Sequence, residues 1–231
     1  MKCNTVVVGD VHGCRRELGE LESRIQEHFS EIGTDYFMVF VGDFVDRGPD
    51  SRGVVERVAE LVANKRAAAV LGNHDEMMLN NIAIQRPDLL VQAGIDERRF
   101  AHLTHFHPME QSSHLRNWLT QGGDDTLRSY DTDPFSPGRW DLPGRHLRFL
   151  FDLPLVWHDD QVVVTHAQAS ATSVAEALAA ADPWILADRV RFDLLWQRDA
   201  RGPVTDDERV HVSGHTPIET PDYDPRTRRY R

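Results

Sequence analysis

The fold is decided by the stretch Tyr36-Phe37-Met38-Val39-Phe40-Val41-Gly42-Asp43-Phe44-Val45-Asp46-Arg47-Gly48. Its first half, through Val41, is apolar and predicts a buried β-strand. The turn that follows brings two carboxylates and a guanidinium directly behind that strand. Because ligands of open α/β sheets gather at the carboxyl ends of strands, these charged side chains are candidates for a functional site.

Further short polar blocks also close apolar runs, and they are Gly9-Asp10-Val11-His12-Gly13, Gly72-Asn73-His74-Asp75, Thr165-His166-Ala167 and Gly214-His215-Thr216. Between the first three predicted strands, apolar residues recur at spacings of three and four, which is typical of amphipathic helices. One such helix covers residues 15 to 29, and a second follows Ser51, a plausible N-cap. The resulting β-α-β-α-β alternation predicts a parallel sheet with helices packed on it.

The segment from about 85 to 146 is the least regular part of the chain. We interpret it as a partly helical insertion in a single domain spanning 1–231, either a cap beside the site or a small helical subdomain. Beyond it, two short apolar runs flank Asp159-Asp160 and predict a hairpin. Residues 172 to 181 predict a helix, 210 to 213 predict a strand, and 226 to 231 predict an exposed tail.

The bulk composition narrows the classes of function. The chain has 231 residues, 40% hydrophobic and 27% charged, with a net charge of −11, which is typical of a globular domain and disfavours nucleic-acid binding. Two cysteines cannot form a disulfide framework, and no apolar run resembles a signal peptide or a membrane span. We therefore expect a cytoplasmic protein that binds neither nucleic acid nor membrane, and we expect a monomer.

The polar blocks supply carboxylate, amide and imidazole ligands but no thiolate. That combination suits Mn²⁺, Fe or Zn²⁺, with Mg²⁺ as a further alternative, and we expect two ions, Mn²⁺ first. The two predicted ligand sets are Asp10, His12 and Asp43 for one ion, and Asn73, His166 and His215 for the other. A shared carboxylate, most simply Asp43, would hold the ions roughly 3.5–4 Å apart and activate a water molecule for attack on a phosphate ester.

Four more side chains have roles that follow from charge. Arg47 offers a planar fork of donors for phosphate oxygens, and Arg198 is a candidate second clamp. His74 directly follows a predicted ligand and is a candidate general acid for the leaving alkoxide. Asp46 would accept a hydrogen bond from the other ring nitrogen of His74 and fix its tautomer.

The ordered blocks from Gly9 to Thr216 resemble the phosphoprotein phosphatase branch of the calcineurin-like metallophosphoesterases, in particular small bacterial serine/threonine protein phosphatases. The resemblance implies an α/β fold, a β-sandwich of two mixed sheets flanked by helices. By motif, it also implies the same roles as above for Asp10, His12, Asp43, Asp46, Arg47, Asn73, His74, His166, Arg198 and His215. The implied reaction is direct hydrolysis of a phosphomonoester by metal-bound hydroxide, without a phosphoenzyme.

This chain departs from the usual sequence pattern of the family in three places. Asp75 stands where many protein phosphatases have Glu, and Ala-Gln follows His166 where Gly-Gly or Ala-Gly is usual. The family normally continues past the Gly-His-Thr block into a strand ending in Asp-Thr-Gly, which this chain lacks. We therefore expect either an incomplete sheet edge or a truncated sequence.

Three functions remain open at this point. Hydrolysis of phosphoserine and phosphothreonine in proteins is favoured by Asp46, by Arg198 near Trp196, and by Gly122-Gly123 followed by Thr126. A symmetrical dinucleoside tetraphosphate (diadenosine tetraphosphate) hydrolase is favoured by Cys14 and Asp75. A non-catalytic binding module that retains the fold is the third alternative, and metal content after purification would distinguish it from the enzymes.

Overall fold

The computed structural model describes residues 4–101, 108–199 and 208–231. The strands, in chain order, are β1 (Asn4–Val8), β2 (Tyr36–Phe40), β3 (Ala67–Ala69), β4 (Val156–His158), β5 (Val162–Thr165), β6 (Val210–Ser213), β7 (Tyr223–Asp224) and β8 (Arg229–Tyr230). The α-helices are α1 (Arg15–Ile32), α2 (Ser51–Ala63), α3 (Asn73–Gln85), α4 (Pro87–Gln92), α5 (Pro108–Trp118), α6 (Asp124–Ser129), α7 (Gly144–Phe151), α8 (Ala171–Ala179) and α9 (Asp188–Trp196). A π-helical turn, Leu119–Gly123, joins α5 to α6.

The first sheet contains β1, β2 and β3 in that order, all parallel, as the β-α-β-α-β alternation predicts. Side chains of a strand alternate between the two faces of its sheet. Met38 and Phe40 of β2 join the large core formed with the helices, whereas Val39 and Val41 pack toward the second sheet. Both faces of this sheet are therefore buried, which explains the continuous apolar run.

The second sheet is mixed, with the strand order β4-β5-β6-β8-β7. Strands β4 and β5 form the antiparallel hairpin that the sequence predicts, and β6 lies parallel to β5. Val164 of β5 packs against the valines of the first sheet, and Trp157 stacks on Phe37 across the two sheets. The sandwich of two sheets flanked by helices that the resemblance implies is confirmed, although the described strands of the first sheet are all parallel and only the second sheet is mixed. The parallel strands of both sheets direct their carboxyl ends to one site.

The prediction of an exposed tail over 226 to 231 is wrong. Strand β8 pairs in parallel with β6 and antiparallel with β7, and the Arg229 side chain is 5% exposed. These two short strands extend the sheet beyond the Gly-His-Thr block. The dense run of arginines predicts exposure, because charged side chains are rarely buried.

Other local predictions differ in detail. The N-cap of α2 is Asp50, whose Oδ1 accepts the Gly53 N–H at 2.8 Å, so the prediction of Ser51 as the N-cap is wrong. Ser51 is the first helical residue, and its Oγ accepts a hydrogen bond from the backbone N–H of Asp46. Helices α7 and α9 have no counterpart among the elements predicted from the sequence.

The segment from about 85 to 146 is largely helical and packs on the main core. Trp118, Leu127 and Trp140 belong to the same buried cluster as the helices of the first half. His102, His105 and His107, whose spacing in the sequence predicts no further metal site, lie outside the described residues. Within the described parts of the chain, no helix has both the length and the apolar character needed to cross a bilayer.

Candidate active site

The predicted site residues of all five polar blocks meet where the two sheets present the carboxyl ends of their strands. The longest-range of these contacts joins Asp10, which follows β1, to His215, which follows β6. The His215 backbone N–H donates to both carboxylate oxygens of Asp10, at 3.2 and 3.1 Å. Gly214 permits this approach, because a β-carbon there would collide with Asp10 Oδ1. Residues at opposite ends of the chain thus share one pocket.

Two groups of metal-ligating atoms overlap at one carboxylate. One group is His12, Asp43 and His74, and the other is Asp10, Asp43 and His166, with all ligand atoms of a group within 4.8 Å of one another. Asp43 is 2% exposed, and its Oδ2 lies 3.4 Å from His12 Nε2 and 3.5 Å from His166 Nε2. Asp43 could therefore serve both groups, although Asp10 groups with His166 and not with His12.

The hydrogen bonds of the histidines tell which ring nitrogens are free to bind a cation. His12 Nδ1 lies 2.9 Å from the carbonyl oxygen of Val45, and His166 Nδ1 lies 2.8 Å from that of Val41. A carbonyl can only accept, so each Nδ1 carries the proton and each neutral ring presents a lone pair at Nε2. Such backbone bonds are the usual means of orienting a metal-ligating histidine.

Two acceptor atoms face each other in the cluster formed by Asn73, His166 and His215, which we call the second cluster. His166 Nε2 lies 2.8 Å from Asn73 Oδ1, and His215 Nδ1 lies 3.0 Å from the same oxygen. An amide oxygen has no proton to give, and the neutral His166 ring has none at Nε2. Acceptors converging in this way are the arrangement that a cation satisfies, so these residues fit a metal ion.

Burial shifts the titration of these groups. It raises the pKa of Asp43 to about 7 and lowers the pKa values of His12 and His215 to about 4. Burial also lowers the pKa of His166. Each shift favours the neutral form because a charge is poorly solvated there. A bound cation would stabilise the ionised carboxylate and retain the neutral imidazoles as ligands.

Arg47 already brings a positive charge to the group of His12, Asp43 and His74, which we call the first cluster. Its Nη1 donates to His12 Nε2 and its Nη2 donates to His74 Nε2, both at 2.8 Å. The guanidinium therefore occupies the lone pairs of two imidazoles, as a cation would. A cleft of about 950 Å³ opens from Arg47 toward Leu115 and Phe135.

His74 and Asp46 form a buried pair beside Arg47. His74 Nδ1 donates to Asp46 Oδ2 at 2.7 Å, and the two side chains are 2% and 0% exposed. Burial raises the pKa of Asp46, while hydrogen bonds from His74, Thr126 and Trp118 act in the opposite direction. The tautomer of His74 that the sequence predicts is thus the one present.

Arg198 is less closely integrated than the other predicted residues. It follows α9, its side chain is exposed, and its backbone N–H donates to Gln197 Oε1. Its charge still contributes to lowering the pKa of His215, so it lies near the second cluster. Within the described parts of the chain, no hydrogen bond joins Arg198 to Arg47.

Sequence reasoning missed the residues that support the ligands from behind. Trp118 and Thr126 contact the Asp46 carboxylate, and Asp75 accepts the backbone N–H groups of Phe44 and Gly72 at 2.9 and 3.1 Å. The Trp-x-x-x-Gly-Gly-x-x-Thr spacing from 118 to 126 was a signal that could have found two of them.

A buried chain of hydrogen bonds supports His166 from the other side. Arg229 Nη1 donates to His211 Nδ1 at 2.8 Å, so His211 Nε2 must donate to Thr165 Oγ1, 2.6 Å away. The Thr165 hydroxyl then donates to the carbonyl of Ala167 at 2.6 Å, and Arg229 Nη2 donates to that of Ala169 at 2.8 Å. We call this chain the Arg229 relay. It fixes both ends of the turn that carries His166.

The ligand turns are also strained. Among the described non-glycine residues, those with positive φ include His12, Asp43, Asp46, Arg47 and His215, at 41°, 51°, 73°, 67° and 65°. Residues other than glycine rarely adopt this conformation, and it concentrates at functional sites.

The fold and this ligand arrangement define the class of a metal-dependent phosphoesterase. The family model of calcineurin-like phosphoesterases matches residues 4–230, and the chain belongs to that family. The family assignment predicted from the motifs is confirmed. Members of the family normally use a dinuclear metal centre, which agrees with the two overlapping ligand groups.

Curated relatives include both dinucleotide hydrolases and a protein phosphatase. A symmetrical bis(5'-nucleosyl)-tetraphosphatase from Bordetella pertussis is 37% identical over 134 residues, which cover 51% of this chain and 46% of that protein. Serine/threonine-protein phosphatase 1 from Salmonella typhimurium is 38% identical over 101 residues, covering 44% of this chain and 42% of that protein. The chain therefore aligns with less than half the length of these relatives.

A solved structure extends the likeness in fold. A serine/threonine phosphatase from Saccharomyces cerevisiae superposes with a TM-score of 0.51 at 13% identity, covering 99% of this chain and 66% of that one. At this identity the likeness is one of fold, and it is the Salmonella relative that agrees with the predicted phosphoprotein phosphatase branch.

Proposed function

We propose that this protein hydrolyses phosphoserine and phosphothreonine in proteins by direct attack of water at phosphorus. The observation that carries the proposal is the buried His74–Asp46 pair, at 2.7 Å, beside the Arg47 guanidinium. A serine or threonine alkoxide is a poor leaving group and needs a proton as it departs. A phosphoanhydride releases a stable anion and has much less need of a general acid.

Six side chains would hold two divalent cations, and they are Asp10, His12, Asp43, Asn73, His166 and His215. Their oxygen and imidazole donors suit Mn²⁺, which we propose as the metal. When bound, the ions would lower the pKa of a water molecule and neutralise charge on the phosphate.

The remaining chemistry belongs to the side chains. The N–H groups of Arg47 exchange their hydrogen bonds to His12 and His74 for hydrogen bonds to phosphate oxygens. This frees His74 Nε2 to carry a proton. As the water oxygen bonds to phosphorus, the bond to the serine or threonine oxygen breaks with its electron pair. His74 Nε2 gives its proton to that oxygen, and Asp46 stabilises the imidazolium before transfer. The proton lost by water leaves to solvent, and Arg198 is a second candidate phosphate contact.

A symmetrical dinucleoside tetraphosphate hydrolase is the second candidate. It is supported by the likeness to the symmetrical bis(5'-nucleosyl)-tetraphosphatase of Bordetella pertussis, at 37% identity. The same metal ligands and Arg47 would serve that reaction, but the His74–Asp46 pair would be less important because the leaving group is a nucleoside diphosphate.

The test is a side-by-side assay of the Mn²⁺-loaded protein on a phosphothreonine peptide and on diadenosine tetraphosphate. We expect the larger kcat/KM on the peptide. Turnover of the dinucleotide alone would overturn the first choice. A protein that binds no metal after reconstitution with Mn²⁺ and hydrolyses neither substrate would support the binding-module alternative.

His74→Asn tests the general acid in the same assay. We expect turnover of the peptide to fall by about 10²–10⁴ while Mn²⁺ stays bound, and turnover of p-nitrophenyl phosphate, which has a good leaving group, to fall much less. Equal losses on both substrates would refute the role of His74.

A further inference from the structure

We infer that Trp118 and Thr126 are positioning residues that orient the general acid His74 through the carboxylate of Asp46. This inference rests on the proposed function, since it matters only if His74 donates a proton. Both residues lie in the segment from about 85 to 146, which we interpret from the sequence as either a cap beside the site or a small helical subdomain. They give that segment a specific part in the reaction.

Three side chains donate hydrogen bonds to the carboxylate of Asp46. Thr126 Oγ1 donates to Asp46 Oδ1 at 2.7 Å, and Trp118 Nε1 lies 3.1 Å from both carboxylate oxygens. His74 Nδ1 donates to Oδ2 at 2.7 Å. With two oxygens held from behind, the carboxylate can turn only a little, and the ring that binds to it is held as well.

Thr126 also holds the backbone of Asp46. The Asp46 N–H donates to Thr126 Oγ1 at 2.7 Å, so one hydroxyl accepts from the main chain and donates to the side chain of the same residue. Asp46 has a φ of 73°, a conformation that needs support from its surroundings. The hydroxyl of Thr126 supplies that support on both sides of the Cα atom.

The local backbone of the segment is shaped for this contact. Residues eight apart in a regular α-helix are separated by about 12 Å along the axis, too far to meet one carboxylate. The π-helical turn Leu119–Gly123, with Gly122 at a φ of 109°, breaks that spacing. A β-carbon on Gly123 would lie 2.5 Å from the Trp118 ring. The two glycines thus let Trp118 and Thr126 face the same group.

Core packing alone does not explain the choice of tryptophan. Trp118 is 0% exposed and makes an edge contact with Trp140, with ring centroids 5.9 Å apart. Phenylalanine would fill most of that space without a polar atom. The indole N–H is aimed at a buried carboxylate that touches the general acid, and that feature is the one to test.

The variants are Trp118→Phe and Thr126→Val, each of which removes one donor and retains most of the volume. Their matched controls are Trp140→Phe, which loses an indole bond to the carbonyl of Asp133, and Thr126→Ser, which retains the hydroxyl. Each Mn²⁺-loaded protein is assayed on a phosphothreonine peptide and on p-nitrophenyl phosphate. We expect peptide turnover to fall about 10- to 100-fold in the two variants, and the other substrate and the controls to change little.

A second readout does not depend on activity. In protein labelled with ¹⁵N-histidine, the Nδ1 proton of His74 reports its bond to Asp46 directly. We expect its resonance to move upfield in Trp118→Phe and Thr126→Val and to stay in place in the controls. An unchanged resonance, or equal losses on the two substrates, overturns the inference.

His74→Asn separates this inference from the proposed function. If His74→Asn slows both substrates equally, the general acid is wrong and the role of Trp118 and Thr126 falls with it. If His74→Asn acts selectively on the peptide but the two variants do not, the proposed function stands and only the positioning role is wrong. If one variant fails to fold, the Thr126→Val and Thr126→Ser pair or the Trp118→Phe and Trp140→Phe pair still decides the outcome.

Discussion

The two sheets deliver ligands to the same site, yet they hold them by different means. The first sheet is parallel, is covered on both faces, and ends in turns anchored by a large apolar core. The second sheet has strands of two to four residues, and the turn with His166 is tied down by the buried Arg229 relay. The first sheet is therefore stabilised mainly by hydrophobic burial, and the position of His166 in the second sheet by a few hydrogen bonds.

Asp43→Asn should affect the ligands of both sheets at once, because Asp43 belongs to both ligand groups. We expect loss of Mn²⁺ from both clusters and a fall in kcat/KM of about 10³-fold or more, since a shared anionic ligand becomes neutral. Metal content by mass spectrometry and the peptide assay measure this. Asp160→Asn, at an exposed turn, is the control, and an Asp43 variant that retains two ions would contradict a bridging role.

Phe40→Ala tests the first sheet alone. Phe40 is 0% exposed, and removing its ring should lower the free energy of unfolding by about 3–5 kcal/mol through lost burial and a cavity. Urea denaturation measures the loss. In the molecules that remain folded, the Mn²⁺ affinity should be unchanged, and a parallel drop in affinity would show that core packing also sets the ligand geometry.

Thr165→Val should change metal affinity, which Phe40→Ala should leave unchanged. It retains the side-chain shape but cannot pass the hydrogen bond from His211 to Ala167, so the turn with His166 loosens. We expect Mn²⁺ binding at the second cluster to weaken about 10- to 100-fold, as is usual for supporting bonds behind a ligand. Titration calorimetry compares it with Thr165→Ser, which retains the hydroxyl. Equal affinities for the two variants would exclude the relay as a determinant of metal binding.

His211→Gln should act on the pH dependence of the stability of the metal-free protein and not on metal binding. Burial and the charge of Arg229 lower the pKa of His211 from 6.5 to about 3. Between these values the unfolded chain binds a proton that the folded chain does not, so stability falls with falling pH, by about 1.4 kcal/mol per pH unit. The variant should lack this slope between pH 6 and 4.

The comparison of His211→Gln with wild type isolates this histidine from Asp43. The raised pKa of Asp43, about 7, acts in the opposite direction in both proteins, because folding there favours proton uptake. His28→Gln, on the exposed face of α1, is the control. An unchanged slope in His211→Gln would mean that His211 is charged in the folded state.

The two halves also differ in how far the sequence predicts them. Strands β1 to β3 and helices α1 and α2 follow from apolar periodicity, and the convergence of Asp10 with His215 follows from strand ends. The contacts of Trp118 and Thr126 with Asp46 span 72 and 80 residues and depend on a π-helical turn that no periodicity signals. Arg229 looks like a surface residue until its neighbours β6 and β7 are known. The individual roles of the site residues remain predictions.

The left-handed backbone at His12, Asp43 and Arg47 has a consequence for how such a chain can change. Each of these residues costs roughly 1–2 kcal/mol that glycine would not, because a β-carbon crowds the following carbonyl. Selection for thermostability alone would favour glycine at the positions that bear the imidazole, carboxylate and guanidinium. The imidazole, carboxylate and guanidinium therefore stand at these turns at a cost in stability that the rest of the fold must offset.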